Sequence, residues 1–188
     1  YASEIGIEIL QNGGNAIDAA IAVGFALAVV HPGAGNIGGG GFMVIRLADG
    51  NVKTIDFRET APLAAYKDMF LDDSLNVIPN KSWSTSWAAG VPGSVAGFGM
   101  AHEKFGSLPW WQLVNPAIDL AQRGYKLDIV NYSNLNSNYY SSYLKRDKEA
   151  RKIFTKDVGY FELGETFIQK DLARSLRRIS RLGYREFY

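Results

Sequence analysis

Apolar residues recur with helical spacing over most of the chain, and two strand-like segments stand between residues 41 and 58. In residues 2–12, Ile5, Ile9 and Leu10 share one helical face, and Gly13-Gly14 offers the left-handed conformation that closes a helix. Asn15 is a good N-cap for a second helix over 16–30, which Pro32 ends. That second helix is apolar almost all round, a pattern that predicts burial on most of its surface. Its apolar run, Ala16 to Val30, contains Asp18 and falls short of the about 20 residues a membrane span requires. A buried core helix is the expectation.

Gly41-Phe42-Met43-Val44-Ile45-Arg46-Leu47 reads as a strand, Asp49-Gly50 as a hairpin turn, and Val52 to Arg58 as the antiparallel return. Beyond Pro62 the pattern predicts a short helix over 63–70, an irregular polar stretch over 72–87, and a turn at Gly90-Val91-Pro92-Gly93. Further helices are expected from Ser94 to Phe105, closed by Gly106, and from Pro109 to Gln122 or Arg123, with Gly124 past the end. Residues 131–147 are helix-like but rich in Asn, Ser and Tyr. A last amphipathic helix spans about 169–182, with Leu172, Leu176 and Ile179 inward. No repeat or linker divides the chain, so residues 1–188 read as a single domain of mixed α/β (α+β) class.

The loop between the second helix and the first strand, HPGAGNIGGGGF, contains the spacing G-x-G-x-x-G from Gly33 to Gly38. A dinucleotide site needs those glycines after a strand and before a helix, so that the phosphates meet free N–H groups at the helix start. Here the order is reversed, and the helix presents its negative end near His31. The fingerprint is rejected. Two purposes remain for the glycines: a tight connection packed against another backbone, or a wall that approaches a ligand or a neighbouring chain.

Composition narrows the chemistry further. A net charge of +1 gives no global field that would draw nucleic acid or an anionic membrane. The absence of cysteine removes disulfides, thiolate catalysis and cysteine zinc sites, while leaving the compartment open. His31 and His102, the two histidines, lie far apart in sequence and suggest no metal site without a third ligand. Gly93-Ser94-Val95-Ala96-Gly97 lacks the order of a nucleophile elbow. Arg174, Arg177, Arg178 and Arg181 form a helical stripe that reads as a solvated face rather than a polyanion contact. Tyr139, Tyr140 and Tyr143 fit packing or surface positions, and the sequons at Asn80 and Asn131 matter only in a glycosylating host. Tyr1-Ala2-Ser3 enters a helical pattern directly and the chain stops on Phe187-Tyr188, so it is read as a fragment of a longer protein.

Several blocks, in order, carry a family likeness. Gly13-Gly14-Asn15-Ala16-Ile17-Asp18-Ala19-Ala20, then HPGAGNIGGGGFMVIR, then Asp56-Phe57-Arg58-Glu59-Thr60-Ala61-Pro62 lead the series. Val91-Pro92-Gly93-Ser94-Val95-Ala96-Gly97-Phe98, Phe105-Gly106-Ser107-Leu108 and Pro116-Ala117-Ile118-Asp119-Leu120-Ala121 follow. Together they cover most of residues 2–125, and the match thins afterwards to Gln169-Lys170-Asp171-Leu172-Ala173 and Glu186-Phe187-Tyr188. The series resembles the large-subunit region of γ-glutamyltransferases (γ-glutamyl transpeptidases), and Ala34-Gly35-Asn36-Ile37 is closer to the bacterial type.

The resemblance implies a partial αββα four-layer sandwich of the N-terminal-nucleophile hydrolase type, helix-rich, with an antiparallel hairpin at about 41–58. It implies a precursor that cuts itself into two subunits, of which this chain is a fragment of the large one. A threonine at the start of the small subunit would attack the γ-glutamyl amide of glutathione or a related compound, and the acyl group would pass to water or an amine. The catalytic residues then lie outside this chain, which alone would be inactive. The implied partners are the small subunit and γ-glutamyl compounds, with no nucleic acid and no membrane segment, no metal or organic cofactor, and a periplasmic or secreted location.

One substrate-binding residue maps onto the chain. The arginine of the D-F-R-E motif, Arg58, would grip the α-carboxylate of the γ-glutamyl group, a task suited to a planar, permanently charged guanidinium. The competing purpose is a structural pair with Asp56 or Glu59, and Glu59 is also a candidate to orient Arg58. Within the same family a cephalosporin or glutaryl acylase is the alternative, and a non-catalytic scaffold module is another. A large apolar face is expected to stand exposed on the isolated chain, where the small subunit would complete the sheet.

Overall fold

The computed structural model describes residues 1–188, in two compact units: 1–36 with 101–188, and 37–100. In chain order the elements are helices α1 (Ala2–Gln11) and α2 (Ala16–Val30), strands β1 (Phe42–Arg46) and β2 (Val52–Asp56), and helices α3 (Ser94–Phe105) and α4 (Trp110–Arg123). Strand β3 (Tyr125–Lys126), helices α5 (Ile129–Asn136), α6 (Asn138–Leu144) and α7 (Lys148–Phe154), strand β4 (Thr166–Phe167) and helix α8 (Lys170–Leu182) complete them. The boundary between the units falls at Met100–Ala101, inside α3, where no change of composition marks it.

The larger unit is built around α2. Its neighbours are α1 and α4, and α4 in turn packs on α8. Ile21, Phe25 and Val29 of α2, Leu113, Val114 and Ala117 of α4, and Leu176 of α8 are fully shielded from solvent. Removing such apolar side chains from water stabilises the fold by about 1.5–3 kcal/mol each.

Helix α2 is buried along most of its length, so the polar groups at both its ends need internal partners. At the start, Asn15 Oδ1 accepts from the N–H groups of Ile17 and Asp18, while Asp18 Oδ2 accepts from Asn15 N–H at 2.9 Å. This is a reciprocal capping box. Asp18, although fully buried, also accepts from the Ser107 backbone N–H at 3.1 Å and from its hydroxyl at 2.5 Å. At the far end, the amides of Asn131 and Gln169 donate to the carbonyls of Val30 and Val29 at 2.9 and 2.8 Å. Asn131 is thereby buried and engaged, which removes its sequon from consideration.

In the smaller unit β1 and β2 pair antiparallel, with Met43 opposite Ile55 and Val44 opposite Thr54. The Asp49-Gly50 turn forms as expected. Gly50 takes a φ of +88°, and the N–H of Asn51 bonds the Asp49 carboxylate, holding its pKa below the ordinary value. Ile45 and Ile55 are buried on one face of the hairpin, whereas Phe42, Val44 and Val52 on the other are 66%, 73% and 58% exposed. Three apolar side chains thus stand exposed, on a face they share with exposed Arg46, Thr54 and Asp56, a smaller apolar face than expected.

The helix expected over 63–70 does not form. Isolated i+3 turns take its place, with Ala65 N–H on Pro62 O and Met69 N–H on Tyr66 O. Leu63 and Tyr66 are exposed, and so short a segment with no buried face cannot offset the cost of helix nucleation. The helix-like stretch 131–147 is instead split at Ser137, whose hydroxyl accepts from Tyr140 N–H and starts α6 anew.

Candidate functional site

Arg58 and Glu59 lie just beyond β2, in the segment Phe57–Thr60, and two backbone ladders hold that segment at its ends. Phe57 N–H donates to Gly41 O at 2.9 Å, and Gly41 N–H returns to Phe57 O at 3.3 Å. Thr60 and Val91 exchange a second pair, at 3.2 and 2.8 Å. Gly39 O then accepts from Gly93 N–H at 2.8 Å and Ser94 N–H at 2.9 Å, tying the glycine run to the start of α3.

The resulting spacings leave no room for a methyl group. A Cβ on Gly40 would stand 2.5 Å from Phe57 O and 2.9 Å from Arg58 Cα. On Gly93 it would stand 1.9 Å from Phe57 O, and on Gly97 2.2 Å from Phe57 Cγ. Phe57 also sets its ring edge-on to Phe98, with centroids 6.0 Å apart. Of the two purposes open to the glycines, the structure shows close packing on another backbone for Gly40, against Phe57–Glu59, while Gly41 lies against the Phe57 ring.

Arg58 leaves this fixed backbone with its side chain 63% exposed, and its Nε lies 3.4 Å from Glu59 Oε2. Asp56 turns to the main chain instead, where its Oδ1 accepts from Arg58 N–H at 3.0 Å. Of the two acids weighed as partners, Glu59 thus faces the guanidinium and Asp56 fixes the backbone. An exposed ion pair of this kind contributes little stability, at most about 1 kcal/mol. The arrangement offers an accessible, permanently charged fork on an immobilised support, suited to a carboxylate.

The other sequence candidates are engaged elsewhere. His31 caps the C-terminus of α2 through its backbone. His102 places Nε2 2.7 Å from Leu108 O and packs its ring on Trp110. Arg174 pairs with Asp171, Arg178 with Glu186, and Arg177 donates to Gln122 Oε1 at 3.0 Å, all with exposed surroundings, so the stripe is a solvated face. Tyr139 sets its ring edge-on to both Tyr140 and Tyr143. No group of three or more His, Asp or Glu side chains is placed to hold a metal ion.

Sequence reasoning singled out Arg58 as a candidate and did not foresee that Gly93 and Gly97 pack against the neighbouring Phe57. The available signal was their spacing of four at the start of a helix, which puts two bare positions on one face.

A sequence profile for the family described as gamma-glutamyltranspeptidase matches residues 2–188. The chain is 46% identical over 187 residues to a glutathione hydrolase proenzyme of Escherichia coli strain K12, and 50% identical to one from Pseudomonas sp. strain A14. In both cases all of the chain is covered but 32% of the relative, so it spans about a third of the length of these curated relatives. A solved gamma-glutamyltranspeptidase of Helicobacter pylori superposes with a TM-score of 0.95 at 49% identity, covering 100% of this chain and 53% of that one. The helix-rich mixed α/β architecture with its antiparallel hairpin is that of an N-terminal-nucleophile hydrolase. The chain belongs to the gamma-glutamyltranspeptidase family.

Proposed function

We propose that residues 1–188 are part of the large subunit of a self-processed γ-glutamyltransferase, and that Arg58 binds the α-carboxylate of the γ-glutamyl donor. The carrying observation is an exposed guanidinium on a backbone held at both ends, within the D-F-R-E segment of a chain of this family. The names of the relatives, glutathione hydrolase proenzymes, support glutathione as donor and a precursor that is cleaved. A periplasmic or secreted location accords with the bacterial likeness, and no helix here is long and apolar enough to cross a membrane.

In this mechanism a threonine hydroxyl of the small subunit attacks the γ-carbonyl of the donor. The C–N bond breaks, the amine leaves with a proton, and the glutamyl group remains as an ester on the enzyme. Water or an amino acid or peptide amine then attacks the ester and restores the hydroxyl. Arg58 takes no part in bond making. It anchors the far end of the glutamyl chain, so that the carbonyl is presented to the nucleophile in one register.

The test compares three anilides on the full-length protein. The γ-glutamyl compound carries both α-amino and α-carboxyl groups, the glutaryl compound lacks the amine, and the 4-aminobutyryl compound lacks the carboxylate. Fast turnover of the first, with a dipeptide acceptor giving ping-pong kinetics, and a severe loss for the third is expected. Preference for the glutaryl compound would make the protein an acylase. No turnover of any would leave a non-catalytic scaffold.

A further inference from the structure

We infer that Gly40 and Gly93 are positioning residues for donor binding, acting through the backbone of Arg58. This deepens the γ-glutamyl donor assignment and rests on it. Arg58 is held on three sides. Its N–H is bonded by Asp56 Oδ1 at 3.0 Å, its Cα faces Gly40, and its carbonyl oxygen faces Gly93, where a Cβ would stand 3.1 Å away. The tie from Gly39 O to the N–H groups of Gly93 and Ser94 closes the clamp.

The segment they fit lies at the surface: Arg58, Glu59 and Thr60 are all exposed, while Gly93 is itself buried and meets the Phe57 carbonyl oxygen first, where a Cβ would stand 1.9 Å away. Each glycine costs about 0.5–1 kcal/mol of chain entropy relative to alanine where alanine would fit. What the clamp does supply is a fixed origin for a long, flexible cation. Binding a carboxylate with a free side chain and a mobile backbone would lose freedom in both, whereas here the backbone part is already ordered.

The experiment uses the full-length, processed enzyme and a γ-glutamyl anilide. Gly40→Ala and Gly93→Ala are compared with Gly50→Ala, which strains a turn at φ +88° but has nothing within 4 Å of the added carbon. KM should rise about 10- to 100-fold in the first two, with kcat at saturating donor within about twofold of wild type. Gly50→Ala should lower Tm and leave KM unchanged. A merely structural role would reduce the folded fraction, and so kcat, at constant KM; that result overturns the inference.

Should the first two variants fail to fold, Gly90→Ala serves. Its added carbon meets Glu59 Cβ at 3.0 Å and Thr60 O at 3.3 Å, a milder contact than at Gly40 or Gly93, and KM should then rise several-fold with little loss of Tm. An unchanged KM there overturns the inference. If Arg58→Ala itself leaves KM unaltered, the donor assignment fails and the inference with it. If Arg58→Ala raises KM while the glycine variants do not, the inference alone fails.

Discussion

At Arg58 the proposed purpose, a carboxylate ligand, rests on the likeness of Asp56-Phe57-Arg58-Glu59 to the family's motif; the chemistry of a guanidinium accords with it but by itself left a structural pair with Asp56 or Glu59 open. Its support was not legible. Gly40, Phe57 and Gly93 are far apart in the chain, and only the fold brings their backbones within the distance of a missing methyl. The same geometry predicts that Arg58→Lys will be a poor replacement. A lysine keeps the charge but presents a point rather than a fork, so KM for a γ-glutamyl anilide should rise by about tenfold while kcat is largely retained. Steady-state kinetics on the full-length enzyme checks this, and a lysine variant with wild-type KM would show that the bidentate geometry is unimportant.

At the scale of elements, helix α2 was legible from its pattern and from Asn15, and the structure adds what satisfies its ends. The capping box follows from Asn15 and Asp18 being three apart, but the grip of Asp18 on Ser107 joins residues 89 positions apart and leaves no local trace. Asp18→Ala removes a fully buried carboxylate from three donors, the Asn15 N–H and the Ser107 N–H and hydroxyl, and should lower stability by about 2–4 kcal/mol. Thermal unfolding of the 188-residue chain measures that loss. Helix α7 and the β3–β4 pair were not anticipated, because elements so short carry too few apolar positions to show a period. In the loop between α7 and β4, Lys156 Nζ lies 2.7 Å from Glu165 Oε2, and this bond, with the Glu162 N–H, lowers the Glu165 pKa below its ordinary 4.5. A depressed folded-state pKa stabilises the fold above the unfolded value and ceases to do so as pH falls through the folded one. Denaturant unfolding should therefore find Glu165→Gln less stable than wild type at pH 7, with the difference vanishing in strong acid. A gap that persists there would contradict the account.

For the whole molecule, the hairpin carries an exposed apolar cluster. Phe42, Val44 and Val52 stand exposed on one face of a two-stranded sheet, and such a face favours association. The isolated chain is expected to self-associate in sedimentation at micromolar concentration, and Val44→Lys to reduce it; a monomeric wild-type chain would contradict this. The mixed α/β class and the helix–hairpin–helix order were legible because they follow from periodicity and turn chemistry. The division at Met100–Ala101 was not, because it runs through a continuous helix. The central claim is that this chain supplies the carboxylate grip for a donor cleaved by residues that lie elsewhere in the protein. The KM of full-length Arg58→Ala for a γ-glutamyl anilide tests it most directly. The account predicts a rise of about 10- to 100-fold, matching the loss of charged hydrogen bonds of about 1.5–3 kcal/mol. An unaltered KM would show that Arg58 does not bind the donor.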